Sequence, residues 1–129
     1  MTFSKQELDY LSTQHLGRLA TVQPNGTLQV SPVGFTVDSD SGTIDIQGYK
    51  MTASRKFKNV ADNGGVAFVV DDLPSVDPWR VRCVEIRGRA EAIDATATIR
   101  VHPERIISFG LEGTELDVHA MKVDARDVT

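Results

Sequence analysis

Cysteine is almost missing from this chain. Cys83 stands alone, so no intramolecular disulfide can form. Set in a stretch that alternates apolar and charged residues, it reads as a small buried side chain, and a nucleophilic role would need an electropositive neighbour. Long apolar runs are missing too. The longest, residues 66–70, falls far short of the about 20 residues that a membrane-spanning helix needs. The opening Met1-Thr2-Phe3-Ser4-Lys5 lacks the apolar core of a signal peptide, so the expected compartment is the cytoplasm, with no membrane partner. Positive charge is in deficit. The 14 Lys and Arg against 18 Asp and Glu leave a net −4, which argues against nucleic acid, because neutralising phosphates takes a broad basic surface. His15, His102 and His119 are scattered without ligand spacing, so no metal site is expected. Neither a Gly-x-Ser-x-Gly turn nor a glycine-rich nucleotide loop occurs, and hydrolase and dinucleotide-fold readings have no support.

What is present is an ordinary globular composition, 40% hydrophobic and 25% charged over 129 residues. That length fits one domain, residues 1–129, able to bury roughly two thirds of its unfolded surface. Ser4 and Glu7 have the spacing of a capping box, and Leu8 and Leu11 give the following short helix an apolar face up to about Gln14. Pro24-Asn25-Gly26 predicts a tight hairpin between strands at 16–23 and 27–37, with Pro32 placing the second at a bulge or a sheet edge. Residues 43–47 alternate as a half-buried strand does. A second helix, carried by Phe57, Val60 and Ala61, stops at Asn63-Gly64-Gly65. Residues 66–70 read as a strand covered on both sides, 71–78 as a loop, and 81–93 as the longest strand, apolar or small at even positions and charged at odd ones. Residues 99–101 and 106–109 read as a last strand bent at Pro103, and the tail from Glu112 stays unplaced. Six strands at short spacing with two helices give a mainly β class, an antiparallel barrel, closed or nearly so.

Against the acidic background, Lys50, Arg55, Lys56 and Lys58 fall together where the third strand gives way to the second helix, beside Thr52 and Ser54. A helix start carries unpaired N–H groups and the positive end of the dipole, so hydroxyls and cations there make a seat for phosphate. A solvated helix face explains the same residues. Trp79, the sole tryptophan, precedes the long strand with Arg80 beside it: a flat wall and an anion partner for a planar ring, or a lid over the barrel mouth.

In this order the pieces resemble the pyridoxamine-phosphate-oxidase-like, FMN-binding split β-barrel proteins, and among them the small F420-dependent oxidoreductases. The matching stretches are Leu16-Gly17-Arg18-Leu19-Ala20-Thr21-Val22, Asn25-Gly26-Thr27, Val30-Ser31-Pro32-Val33-Gly34-Phe35, Ser54-Arg55-Lys56-Phe57-Lys58-Asn59, residues 66–72 and Glu85-Ile86-Arg87-Gly88-Arg89-Ala90-Glu91, with residues 102–111 resembling the closing strand. The resemblance implies a six-stranded antiparallel split β-barrel with short flanking helices, forming a homodimer with cofactor sites along the subunit interface. It would seat the cofactor phosphate on Ser54 and Lys56 with Arg55 nearby, and the ring along Ser31-Pro32-Val33 and Gln47-Gly48. Trp79 and Arg80 would come from the second copy. Lys50 would suit the glutamate tail of coenzyme F420, the expected cofactor, with FMN the alternative. Longer relatives carry a helical insertion before the last strand, replaced here by a short connection at 94–98. The implied activity is hydride transfer between the deazaflavin and an enone- or imine-like group of a small planar substrate. An FMN-dependent oxidoreductase, or a non-catalytic flavin, deazaflavin or heme carrier, stands as the alternative. No acid or base is assigned: Tyr49 and Ser31 are conceivable proton donors, equally explained by packing or by satisfying backbone.

Overall fold

A computed structural model describes residues 2–112 and 122–129. His119 and most of the unplaced tail lie outside the described residues. The chain opens with helix α1 (Lys5–Ser12), started by the expected capping box. Ser4 Oγ accepts the Glu7 N–H at 3.1 Å, and Glu7 Oε1 accepts the Ser4 N–H at 2.9 Å. Strands β1 (Leu16–Val22) and β2 (Leu28–Gly34) pair across Pro24-Asn25-Gly26. Only Gly26 takes a positive φ, 87°, and its N–H closes the turn on Gln23 O at 2.8 Å. Pro24, with φ already fixed, leads the turn and Gly26 ends it, so this is the longer glycine-ended hairpin turn and not the two-residue form.

Next come β3 (Thr36–Asp38), β4 (Thr43–Gln47), a 3₁₀ turn (Met51–Ala53) and helix α2 (Arg55–Asn63), ended by Gly64 at φ 75°. Strands β5 (Gly65–Val76), β6 (Trp79–Ile93), β7 (Thr98–Phe109) and β8 (Asp124–Asp127) follow. These eight strands, among the described residues, form one antiparallel sheet in the order β2-β1-β5-β6-β7-β4-β3, with β8 beside β7. The two ends of that path, β2 and β3, are separated in the chain by Phe35 alone. One bent segment therefore serves both edges, pairing first with β1 and then with β4, and the sheet curls into a split barrel. This accounts for part of the difference from six expected strands: the segment 27–37 divides at Phe35. The other addition is the four-residue β8.

Two further expectations are corrected, each by a proline at a bulge. Residues 71–78 are no loop: β5 and β6 pair out to Val76 opposite Trp79, and the register slips between Asp72 and Ser75, where Pro74 would have no N–H to give. Likewise β7 is one continuous strand, and its extra residue at Pro103-Glu104 sits opposite Gly88. A Cβ on Gly88 would lie 2.2 Å from His102 O, so the bulge closes onto this position only without a side chain. The inside of the barrel is Leu19, Ile44, Ile46, Phe68, Val70, Val84, Ile86, Ile99, Val101 and Ile106, all buried, with Phe57 and Val60 of α2 joined to them. Each such side chain contributes about 1.5–3 kcal/mol by leaving water. The apolar run at 66–70 is covered on one face only, since Phe68 and Val70 are buried while Ala67 and Val69 stay half-exposed.

Candidate functional site

The chain leaves β4 at Gln47 and passes through Gly48 and Tyr49 to Lys50, which takes a left-handed φ of 51° to start the 3₁₀ turn. Ser54 then caps α2. Its Oγ accepts the Phe57 N–H at 3.3 Å and donates to Met51 O at 2.6 Å. The hydroxyl is thus engaged in both directions, and the donors left over at the helix start are backbone N–H groups. Arg55 and Lys56 occupy the first two helical positions, and the first turn holds no acid. Cations there oppose the dipole by about 0.3–1 kcal/mol each, a cost that an incoming anion reverses. Lys50, Arg55, Lys56 and Lys58 make no ion pair among the described residues, whereas Lys5, Arg18, Arg82, Arg87, Arg100, Arg105 and Arg126 each meet a carboxylate.

Two hydrogen bonds fix how α2 lies on the β1–β2 hairpin. Asn63 Nδ2 donates to Val22 O at 2.7 Å, and Val22 is opposite Leu28. Asn59 Nδ2 donates to Thr21 Oγ1 at 3.0 Å, and Thr21 is opposite Gln29. Moving back along the helix therefore moves forward along β2, so the start of α2 lies on the side of Asn59 away from the hairpin tip, in the direction in which β2 runs on to Ser31, Pro32 and Val33. Gln47 and Gly48 lead straight into the same helix start, with Gln47 Nε2 donating to Thr98 Oγ1 at 2.9 Å. So six of the eleven expected residues, Gln47, Gly48, Lys50, Ser54, Arg55 and Lys56, lie along the one passage from β4 into α2, while Ser31, Pro32 and Val33 lie in β2. Trp79 and Arg80 are elsewhere. They open β6 at the hairpin tip opposite Val76 and Ser75, and the 12-residue β5 separates that tip from the end of α2 by about 36 Å when extended.

Sequence reading missed Thr21, Gln29 and Asn59, which link α2 to the hairpin from inside. The signal was present: an asparagine on the buried stripe between Phe57 and Val60, where an apolar residue is the rule. Among the described residues the buried Ser31 Oγ and Asn59 Oδ1 have no hydrogen-bond partner. Tyr49 is 91% exposed, and the Lys50 amine lies 5.4 Å from its ring centre. Burial first, then the nearby carboxylates Asp71 and Glu85, push the Cys83 thiol up to about 11, which argues against a nucleophilic role. Among the described residues no group of His, Cys, Asp and Glu could hold a metal, and no helix is long and apolar enough to cross a membrane.

A curled antiparallel sheet in this strand order, with a cation-bearing helix start after β4, defines the class of the split barrels. Residues 3–110 match the family model described as pyridoxamine 5'-phosphate oxidase, and the chain belongs to that family. It is 46% identical to a 5a,11a-dehydrotetracycline/5a,11a-dehydrooxytetracycline reductase of Streptomyces rimosus, over 98% of this chain and 97% of that protein. Among solved structures it is similar to an FAD binding protein from Mycobacterium smegmatis, with 27% identity, a TM-score of 0.61, and coverage of 81% of this chain and 91% of the other. It is also similar to a solved F420 reductase, with 25% identity, a TM-score of 0.53, and coverage of 69% of this chain and 86% of the other.

Proposed function

We propose that this protein is an F420-dependent reductase acting on a carbon–carbon double bond conjugated to a carbonyl in a planar, fused-ring substrate. The observation that carries the reading is the set of four cations around the start of α2 without ion-pair partners among the described residues, on a fold whose edge strand β2 holds a buried hydroxyl, Ser31 Oγ, with no partner among them either. Lys56 and Arg55, with the N–H groups of the first turn, suit a phosphate. Lys50 and Lys58 add charge beyond what a single phosphate needs and fit the carboxylates of a glutamate tail, which favours F420 over FMN. The bound deazaflavin supplies the hydride. This chain's residues hold its anionic end, flank its ring with Ser31-Pro32-Val33 and Gln47-Gly48, and keep water from one side. The 46%-identical reductase supports the substrate class, and the solved F420 reductase supports the cofactor.

A second copy of the chain completes the site in this reading. Leu28 and Val30 on β2 are 77% and 66% exposed, and they share an outer face with Ala20, Ala67 and Val69. Such a contiguous apolar face is unusual on a monomer, and the uncovered side of the 66–70 run belongs to it. A partner seated there would bring its Trp79, 55% exposed in one chain, and Arg80 towards the cleft. Titration with F420, FMN and heme on one preparation tests the cofactor. Uptake of F420 and its acceptor-dependent oxidation are expected; FMN binding without F420 binding would overturn the choice, and binding without turnover would make the protein a carrier.

A further inference from the structure

Gln47, Gly48, Tyr49 and Lys50, which carry the chain from β4 towards the 3₁₀ turn, are all exposed. Tyr49 is the most exposed large hydrophobic side chain among the described residues. A ring left in water gains nothing from burial, so packing does not account for it. What the ring does meet is a cation. The Lys50 ammonium lies 5.4 Å from its centre, inside the about 6 Å over which a ring face attracts a positive charge. The lysine itself stands where the backbone favours another residue. At φ 51° and ψ 41° it is left-handed, and its side chain makes no capping bond. Its carbonyl accepts the Ala53 N–H at 3.1 Å, a bond that a glycine would allow without the steric cost. The chain has its glycine two residues earlier, at Gly48, where φ is not positive and a Cβ would meet only Met51 Cε, at 3.8 Å. Lys50 is thus strained, exposed, laid on an exposed ring and without a carboxylate among the described residues, and the fold gains nothing from it.

We infer that Tyr49 is a positioning residue for the anionic tail of the ligand: its ring face holds the Lys50 ammonium over the passage from β4 into α2, set for a carboxylate beyond the phosphate seated at the helix start. A lysine side chain left to itself ranges over many rotamers in water, and ordering it on binding costs affinity. The left-handed backbone at position 50 fixes where the side chain starts, and the ring at position 49 fixes where it ends. Part of the ordering is therefore complete before the ligand arrives. Tyr49 acts through Lys50 and not on the ligand. The chemistry recognised is a second anionic group, which a glutamate tail carries and FMN, with its single phosphate, lacks. The inference rests on the F420 reading above and deepens it: one pair of side chains separates the two cofactors.

The test is the dissociation constant of F420, and of FMN, for wild type, Tyr49→Phe, Tyr49→Leu, Lys50→Met, Lys50→Gly and the Tyr49→Leu/Lys50→Met double variant, with melting temperatures and sedimentation alongside. Tyr49→Leu should weaken F420 binding about threefold, the worth of an exposed contact between a cation and a ring, and leave FMN binding unchanged. Its melting temperature should also stay where it was, since the ring stands in water. Tyr49→Phe keeps the ring face and should bind as wild type does. Lys50→Met should weaken F420 binding about tenfold, and the double variant no further. Lys50→Gly should bind F420 as weakly while its melting temperature holds or rises. Wild-type affinity for F420 in Tyr49→Leu would overturn the role of Tyr49. Additive losses in the double variant, an equal loss for FMN, or a change in subunit association would overturn it too, giving the ring to the ligand itself or to a second copy. A Lys50→Gly variant that melts well below wild type would return the lysine to the fold. A wild type that takes up FMN alone, or neither cofactor, would remove the F420 reading and this inference together.

Discussion

Two charged regions of this barrel are built on opposite plans. Where α1 meets β7 and β8, Glu7 is fully buried and every bond it needs is made. Arg126 Nη1 and Nη2 donate to its two oxygens at 2.9 and 2.7 Å, Ser108 Oγ donates at 2.6 Å, and the Ser4 N–H at 2.9 Å. At the start of α2, cations stand without carboxylate partners among the described residues and against the helix dipole. The first region spends charge on architecture, docking β8 and the N-terminal helix onto the same strand. The second holds charge in reserve, and reserve of that kind is what a ligand uses. Mutations should therefore separate stability from binding according to region.

The largest effect is expected at the first. Arg126→Ala leaves the Glu7 carboxylate buried without its counter-charge and should cost about 3–5 kcal/mol of stability, read by denaturant unfolding, with cofactor affinity unchanged in the folded fraction. The same pair sets an acid limit. Burial pushes the Glu7 carboxyl up, but Arg126, Ser108 and the Ser4 N–H together outweigh it and hold the group below its ordinary 4.5. A depressed folded value gives stability that is present above 4.5 and lost as pH falls through the folded value. Unfolding curves taken from neutral to acid should show that loss in wild type, and a flatter profile in Glu7→Gln.

The next effect belongs to the second region. Lys56→Ala should weaken cofactor binding by about 1.5–3 kcal/mol and leave the melting temperature where it was; a shifted melting point with unchanged affinity would put Lys56 among the architectural cations. The smallest effect sharpens the comparison most. Arg55→Gln relieves the dipole conflict and should stabilise the unliganded protein by about 0.3–1 kcal/mol while weakening its hold on an anion. Opposite signs from one substitution are hard to obtain unless the charge is kept for a ligand.

What could be read from the sequence is what neighbouring residues decide. Ser4 and Glu7 announce the first helix, Gly26 the hairpin, Gly64 the end of α2, and the even–odd pattern of β6 its buried face. The cation cluster was visible for the same reason: its members, Lys50, Arg55, Lys56 and Lys58, sit within nine residues of sequence. Pairing across the sheet was not visible. Pro74 and Pro103 look like strand breakers, and only the register opposite Arg80–Arg82 and Gly88 turns them into bulges inside long strands. The segment at 27–37 divides at Phe35 because the sheet must close, a demand no local pattern records. The Asn59–Thr21–Gln29 cluster joins positions 38 and 30 residues apart, so its parts read as unrelated polar residues until the helix lies on the hairpin.

The most direct measurement is a titration of wild type and Lys56→Ala with F420, followed by fluorescence at low and high salt. Saturable binding is expected in wild type, weakened at least tenfold by the substitution and further by salt, since the seat is open to solvent and its charges are screened. Identical curves for the two proteins, or affinity indifferent to salt, would contradict the claim that the unpaired cations at the start of α2 are there to receive an anion.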